Sequence, residues 1–482
     1  MANELRDKVA SSLKWKYIER FSSAAANLLI SVLIARELGP EAVGLVAILN
    51  VFINISNVFI QQGFSMALIQ KKDVDETHYS SVFWVSLLVS AILYLLVFLG
   101  APFVAKFYKN EVLSNMLRVL AIQLFFGPFT SVQNAIVARK FMFKESFLSN
   151  VIATVISGII GIALAYSGAG AWALIAQVVV SILIANLVLI IKLKWLPKIM
   201  FSLNRIKELF SFGSKVLISS LIDEVYKEIY TLIIGKKYSS ETLGYYNKGK
   251  QFPTMLVISI DSSIQPIMLP AYAKYKDDIP TVKRMLRRTI KMCAYIVFPL
   301  LAGLAAVAKP MVNFLLTDQW TQSVPFMQIY CLALCVHPII MANTQAINAL
   351  GRSDIILKIN IIKKLFGLFV LLLTMPFGVY AIAWGMVLSN MIFMIINVIP
   401  NKKLLNYGIG EQIMDILPNF LMAIIMMLVT MCWELLNIPD IFVIILQILT
   451  GIVLYLLESI ITKNESFHYL CNFIKEKHIQ KQ

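Results

Sequence analysis

Apolar runs of about 20 residues recur along the whole chain, with short polar breaks between them. Each run is long enough to cross a hydrocarbon core of about 30 Å as an α-helix. Since a bilayer offers no water to free backbone groups, spanning segments of this kind must be helical. The pattern predicts about fourteen helices, with approximate spans of 17–38, 42–62, 80–101, 114–137, 146–166, 170–191, 212–234, 250–270, 289–308, 325–348, 356–375, 379–399, 413–434 and 440–461.

One helix junction occurs twice, half a chain apart. The stretch A-R-E-L-G-P-E-A-V-G-L-V at 35–46 is similar to G-K-K-Y-S-S-E-T-L-G-Y-Y at 235–246, so that Glu41 matches Glu241 and Gly44 matches Gly244. Self-similarity over a long period indicates two copies of one structural unit. Six helices per copy, an even number, makes the repeats parallel, an arrangement found in transporters.

This repeat predicts the domain organisation of the chain. We expect an all-α integral membrane protein with two pseudo-symmetric six-helix lobes and a C-terminal helix pair. The first lobe covers residues 1–205, the second covers 206–405, and the helix pair with its tail covers 406–482.

Polar side chains form stripes on four of the predicted helices, the first, second, seventh and eighth, which the repeat matches in pairs. Their members are Glu19, Arg20, Ser23, Asn27 and Ser31; Asn50, Asn54, Asn57 and Gln61; Lys215, Ser219, Asp223, Tyr226, Lys227 and Tyr230; and Lys250, Thr254, Asp261 and Gln265. Ionisable groups at membrane depth are costly and usually face a cavity or a partner.

Two interpretations of the stripes are open at this stage. They could line a shared hydrated cavity, or they could be polar contacts between helices, with Asp223 and Lys227 forming an i,i+4 pair. Four matched stripes favour the cavity, and the surplus of basic residues in it favours an anionic cargo. Glu224 and Glu228 fall on another face of the seventh helix.

Composition and charge agree with a membrane protein. Hydrophobic residues make up 59% of the chain and charged residues 15%, against about 25% charged in soluble domains. The net charge is +16. With a cytoplasmic N-terminus, roughly 29 Lys and Arg fall on the cytoplasmic side and roughly 8 on the other, which is the usual orienting bias. The basic stretch Lys274–Lys291 is typical of an orientation signal in contact with anionic lipid.

Enzymatic and nucleic-acid functions find no support in the motifs. Residues 244–250 match G-x-x-x-x-G-K, but Gln251 stands where a phosphate loop needs Ser or Thr to bind magnesium. No fingerprint of a hydrolase or a dinucleotide-binding fold occurs, and stacking aromatics for nucleic acid are missing. The sequence therefore predicts neither an enzyme nor a bound cofactor or metal.

Four motifs carry a resemblance to a known family. K-W-K-Y-I-E-R-F at 14–21, A-R-E-L-G-P-E-A-V-G at 35–44, S-F-G-S-K at 211–215 and L-G-Y-Y-N-K-G-K-Q-F-P at 243–253 resemble Wzx-type lipid-linked oligosaccharide flippases of the multidrug/oligosaccharidyl-lipid/polysaccharide exporter superfamily. The resemblance implies fourteen helices, a central cavity lined by helices one, two, seven and eight, and alternating access. It also implies head-group binding by basic residues of helices one and seven, which here are Arg20, Lys215 and Lys227.

The resulting hypothesis is a flippase that moves undecaprenyl-diphosphate-linked repeat units across the bacterial inner membrane for lipopolysaccharide or exopolysaccharide synthesis. Both termini would be cytoplasmic, and the partners would be the lipid-linked cargo, membrane lipids and polysaccharide polymerase machinery. Three sets of residues have assigned roles: phosphate or acidic-sugar binding by Arg20, Lys215, Lys227 and Lys250; hydroxyl binding by Asn27, Asn50, Asn54, Asn57 and Gln61; and H⁺ or Na⁺ coupling by Glu19, Asp223 and Asp261.

Two other functions compete with this hypothesis. The first is a cation-coupled multidrug exporter of the same superfamily, for which the stripes should be acidic rather than basic. The second is a membrane-embedded polysaccharide polymerase or ligase, which tends to need a sizeable outward domain, whereas the predicted outward loops are short.

Overall fold

The computed structural model describes residues 2–436 and 438–479, without the side chains of residues 2–21, 24 and 473–479. Within these ranges the chain is helical, and no strand occurs. The chain divides into two compact units, residues 1–244 (unit 1) and 245–482 (unit 2). The all-α fold class is confirmed.

The α-helices that begin in unit 1 are α1 Ala2–Asn57, α2 Gly63–Gln70, α3 Glu76–Tyr108, α4 Val112–Leu120, α5 Gly127–Lys140, α6 Phe143–Tyr166, α7 Trp172–Leu193, α8 Leu203–Lys237 and α9 Ser240–Lys274. A π-helical turn, Val58–Gln62, joins α1 to α2, and a 3₁₀ turn, Ala121–Phe126, joins α4 to α5. Helix α9 continues into unit 2.

The α-helices of unit 2 that follow are α10 Ile279–Ala306, α11 Ala308–Leu316, α12 Val324–Leu334, α13 His337–Ala349, α14 Ser353–Thr374, α15 Val379–Leu405, α16 Ile409–Met431, α17 Asp440–Ile461 and α18 Glu465–Ile479. Three 3₁₀ turns connect some of them, at Asp318–Ser323, Met375–Phe377 and Cys432–Leu435.

The break predicted between the first two spans lies at Gly39. Its backbone has φ 73° and ψ 173°, so that α1 consists of two helical segments on either side of a kink. A positive φ is easy only for glycine, and Pro40, the next residue, supplies no N–H to the helix ladder. The local sequence therefore fixes where the chain turns.

Eleven segments of the described chain are long and apolar enough to cross a membrane. This number is compatible with the fourteen predicted spans, because the first two are continuous in Ala25–Gln70. The predicted spans at 212–234 and 356–375 correspond to α8 and α14, which carry several charged residues each. Many large apolar side chains are exposed, as on α3, whose apolar window is only 22% buried. The protein is thus a multi-pass membrane protein.

Each unit has its own apolar core. In unit 1, Leu49 and Ile53 of α1 are buried with Leu117 of α4 and Ile175 of α7. In unit 2, α10 packs along α16, and α15 packs against α12, α13 and α14. This packing holds the helices that carry the polar stripes in a fixed arrangement within each unit.

Candidate functional site

The second polar stripe meets α8 inside unit 1. Asn54 of α1 donates a hydrogen bond from Nδ2 to Oε1 of Glu228, 2.9 Å away. Glu228 is 8% exposed. Helical periodicity places Glu228 on a different face of its helix from the polar stripe. A partner 174 residues distant along the chain leaves no local trace in the sequence. Glu228 is therefore an additional member of the polar set.

The other amides of this stripe are half-buried. Gln61 donates from Nε2 to Oδ1 of Asn57 at 3.2 Å, and Asn50 lies one turn before Asn54. Gln61 belongs to the π-helical turn Val58–Gln62. Such turns are rare and occur frequently at functional sites. The stripe thus combines amide groups with an irregular stretch of backbone.

The predicted lysines of α8 remain accessible. Lys227 is paired with Glu224, with 3.2 Å between Nζ and Oε1, and its side chain is 63% exposed. Lys215 and Asp223 are exposed as well. The structure therefore keeps these charges on the outside of unit 1, whereas the Asn54–Glu228 contact is inside it.

In unit 2, the predicted coupling residue Asp261 of α9 lies beside a histidine. Its Oδ2 is 2.8 Å from Nδ1 of His337 on α13, and the two side chains are 13% and 42% exposed. The atoms are within ion-pair distance, although Nδ1 of His337 makes no hydrogen bond to the described residues. Lys250, two stripe members before Asp261 on α9, is half-buried. The structure thus brings a carboxylate and an imidazole together in unit 2.

A pocket of about 500 Å³ lies in unit 1 among α1, α5, α6 and α7. Its polar lining consists of amides and hydroxyls: Asn27, Gln123, Thr130, Gln133, Asn134, Ser146, Asn150, Gln177, Ser181 and Asn186. None of the described lining residues is charged. We call this cavity the amide pocket.

Part of the amide pocket is rigidly held. Asn186 donates from Nδ2 to Oγ1 of Thr130 at 3.1 Å, and Gln133 donates from Nε2 to the carbonyl of Asn186 at 3.2 Å. The Oε1 atom of Gln133 is buried and accepts no hydrogen bond from the described residues. Buried polar atoms normally have partners, so this oxygen indicates a place for a ligand hydroxyl or for water.

Of these lining residues, Asn27 belongs to the polar stripes predicted from the sequence, and the others do not. A signal was available, because Gln177 and Ser181 are four residues apart in the predicted span 170–191 and so share a helix face. Their span lies outside the four striped helices, so the match between the two halves of the chain does not point to them.

Gly44 and Gly244, which the sequence repeat matches, each pack against the backbone of the other copy of the repeated junction. A Cβ placed on Gly44 would overlap the carbonyl oxygen of Ser240, and one on Gly244 would overlap the carbonyl oxygen of Pro40. Position 40 matches 240, and 44 matches 244, in the sequence repeat. The two copies of the junction therefore cross backbone to backbone with local two-fold symmetry.

A second close crossing lies elsewhere in unit 1. A Cβ on Gly63 would lie 2.9 Å from the carbonyl oxygen of Gly213, and a Cβ on Gly213 would lie 3.1 Å from that of Gly63. These positions are near the ends of the second and seventh predicted helices, which the predicted topology places at the cytoplasm.

Charged side chains hold the loop after α2 to the start of α8. Lys71 pairs with Glu208, Arg205 lies 3.2 Å from Asp75, and His78 contacts Asp75 at 2.6 Å. The backbone N–H of His78 lowers the pKa of Asp75, and the hydrogen bond from Lys71 lowers the pKa of Glu208. Both carboxylates are therefore ionised at neutral pH.

Two of the predicted site residues, Glu19 and Arg20, lie outside the described side chains. Among the described residues no group of three or more His, Cys, Asp or Glu is placed to hold a metal ion. Cys293, Cys331 and Cys335 are buried free thiols.

Comparisons with known sequences identify related proteins. The family model described as "Polysaccharide biosynthesis protein" matches residues 33–325. The teichuronic acid biosynthesis protein TuaB of Bacillus subtilis is 26% identical over 306 residues, covering 62% of this chain and 62% of that protein. The chain therefore spans about three fifths of the length of TuaB. The lipopolysaccharide biosynthesis protein WzxC of Escherichia coli is 21% identical over 401 residues, covering 82% of this chain and 80% of that protein.

Solved structures share the fold. The lipid II flippase MurJ in an inward closed conformation aligns with a TM-score of 0.78 at 16% identity, covering 94% of this chain and 99% of that chain. A multidrug resistance MATE transporter in an inward-facing conformation aligns with a TM-score of 0.62 at 15% identity, covering 81% and 98%. At these identities the likeness concerns the fold alone.

Proposed function

Because the chain belongs to the polysaccharide biosynthesis protein family, we propose that it is a flippase for oligosaccharide repeat units linked to undecaprenyl diphosphate. It transports the units by alternating access from the cytoplasmic to the periplasmic leaflet of a bacterial inner membrane, with both termini in the cytoplasm. The names of TuaB and WzxC, which refer to teichuronic acid and lipopolysaccharide biosynthesis, support a sugar-containing cargo.

The amide pocket is the observation that carries this proposal. Hydroxyl groups of a sugar each donate and accept hydrogen bonds, and amides and hydroxyls of a protein offer both functions without a net charge. One of the lining residues, Gln133, has a buried Oε1 that accepts no hydrogen bond from the described residues. A cavity lined in this way matches neutral sugar hydroxyls better than an apolar or ionic ligand.

The diphosphate of the cargo requires cations. Lys215 and Lys227 are exposed on α8, and Lys250 is half-buried on α9. These lysines, together with Arg20, are proposed to bind phosphate oxygens or acidic sugars as point charges. The Asn54–Glu228 contact holds the neighbouring face of α8 in place.

The alternative functions receive less support. A transporter of cationic drugs would be expected to carry a carboxylate in its binding pocket, and no described lining residue of the amide pocket is charged. A polymerase or ligase would be expected to place a general acid or base beside its sugars, and the described polar residues that line the amide pocket are amides and hydroxyls. We therefore propose transport without a chemical reaction.

A reconstituted flipping assay tests the function. Purified protein in liposomes is given a fluorescent undecaprenyl-diphosphate oligosaccharide, and its arrival in the opposite leaflet is followed by quenching or enzymatic accessibility. Gln177→Met removes hydrogen-bonding groups from the amide pocket at similar volume. One lost hydrogen bond is expected to slow flipping about fivefold.

Gln70→Met is the matched control, because Gln70 is exposed at the end of α2 and outside the pocket. It should leave the rate unchanged. The absence of flipping by the unaltered protein would argue against the proposed function, while equal rates for the Gln177 and Gln70 variants would argue against the amide pocket as its sugar site.

A further inference from the structure

A second pocket, of about 430 Å³, lies in unit 2 between α10 and the first turns of α18. Its lining includes four cations, Arg284, Arg287, Arg288 and Lys291, with Glu465 and Tyr469 of α18. The predicted topology places this end of α10 at the cytoplasmic membrane surface, in the basic stretch Lys274–Lys291. We call it the basic pocket.

Only part of the positive charge in the basic pocket is compensated. Arg287 lies 2.7 Å from Asp415, and Lys291 lies 3.3 Å from the same carboxylate and 2.7 Å from Glu465. Among the described carboxylates, none is within ion-pair distance of the exposed Arg284 or Arg288. Asp278 interacts with Arg284 electrostatically from beyond ion-pair distance. Within ion-pair distance, the four cations meet two carboxylates, those of Asp415 and Glu465.

The guanidinium of Arg288 is held in a fixed plane. Its Cζ lies 3.3 Å from the centroid of the Tyr469 ring. Stacking on an aromatic face occupies the flat side of a guanidinium and leaves its N–H edge free to donate. A planar fork of N–H donors matches the oxygens of a phosphate and can bind two of them together.

Hydrogen bonds between α10, α16 and α18 fix the walls of the pocket. Asn419 of α16 donates to the carbonyl of Lys291 at 3.3 Å and accepts from Asn464 at 2.7 Å. Asn464 also accepts from the backbone N–H of Ser466 at 2.9 Å and so caps α18. Tyr407 donates to Asp415 at 2.7 Å. The charged side chains of the basic pocket therefore lie on helices that hydrogen bonds hold together, unlike the charges of freely mobile surface lysines.

From this geometry we infer that the basic pocket is a binding site for a phosphate-bearing anion at the membrane surface, separate from the amide pocket and from cargo transport. The phosphodiester of an anionic phospholipid has the required chemistry, because basic pockets on the cytoplasmic side of membrane helices hold such head groups. Inorganic phosphate shares that chemistry, and the experiment distinguishes the two sources.

Full-length protein purified in detergent is titrated with short-chain phosphatidylglycerol, short-chain phosphatidylcholine or inorganic phosphate, while thermal unfolding and native mass spectrometry record binding. Phosphatidylglycerol is expected to bind and to raise the melting temperature, and phosphatidylcholine is not. The double substitution Arg284→Gln with Arg288→Gln should weaken that binding about tenfold or more. If the double variant fails to fold, Arg284→Gln alone, at an exposed side chain, tests whether binding of phosphatidylglycerol becomes weaker.

Lys402→Gln with Lys403→Gln is the control, because substitution of these exposed lysines removes the same charge from unit 2 outside the pocket. Stronger binding of phosphatidylglycerol than of phosphate supports a lipid site, and equal binding supports a soluble anion as the source. Absence of binding by both anions, or binding that is the same in the arginine and lysine variants, would overturn the inference. Since binding is the measurement, the outcome does not depend on flipping.

Discussion

Asn54 and Glu228 illustrate how a polar residue in a membrane helix acquires its role from a partner. Both could be placed on helix faces from the sequence, yet only the packing of α1 against α8 brings Nδ2 of Asn54 within 2.9 Å of the Glu228 carboxylate. A buried carboxylate without a donor is costly, and a hydrogen bond to a charged group is worth about 1.5–3 kcal/mol. The contact therefore stabilises unit 1 from within.

We expect Asn54→Leu to lower the free energy of unfolding by about 2 kcal/mol, because Glu228 loses its donor. Asn50→Leu makes the same chemical change one turn earlier, at a half-buried amide for which the described residues give no hydrogen bond, and should cost less. Thermal or denaturant unfolding of the purified variants measures both. Equal losses for the two substitutions would contradict the role assigned to the contact.

At the scale of helices, the repeated junction at 35–46 and 235–246 explains why two helices cross closely. A break between the predicted spans 17–38 and 42–62 occurs in the structure at Gly39, with φ 73°. The matching glycines 44 and 244 then let two helices approach until a side chain would overlap the partner's backbone. The repeat itself was visible in the sequence, but that its two copies touch each other was not, since similarity between segments carries no information on their distance.

Gly44→Ala and Gly244→Ala should each destabilise the protein by about 2 kcal/mol or more, because the added methyl group meets a backbone carbonyl that cannot move aside. The local symmetry predicts effects of similar size. Gly100→Ala is the control, since a Cβ there has nothing within 4 Å, and helix propensity predicts a gain of about 0.5–1 kcal/mol. The melting temperatures of the three variants measure these changes in stability. A neutral effect at both Gly44 and Gly244 would refute the close crossing of the two helices.

At the scale of the whole molecule, the proposed transport requires coupling between an ion site and a cargo site. The proposed cargo site, the amide pocket, is in unit 1, and the Asp261–His337 pair is in unit 2. Coupling between distinct sites is a free energy linking two states of the protein. The pair is proposed as the place where the coupling proton or cation binds.

Asp261→Asn should therefore abolish the dependence of flipping on an ion gradient while leaving a slow, gradient-independent rate, because the amide cannot exchange a proton. The liposome assay measures this with and without a proton or sodium gradient. Asp318→Asn, at an exposed aspartate of unit 2, is the control and should respond to the gradient like the unaltered protein. Unchanged gradient dependence in Asp261→Asn would eliminate this pair as the coupling site.

The sequence by itself determined the helical class, the positions of most spans and the break at Gly39–Pro40, because these follow from local rules: the length of an apolar run, the need to satisfy the backbone in lipid, and the φ preferences of Gly and Pro. Only the tertiary structure decided which polar residues meet. The packing of helices that are far apart in the chain decides the amide pocket, the Asn54–Glu228 and Asp261–His337 contacts, and the arginines of the basic pocket that have no ion pair. Helix periodicity does not specify that packing.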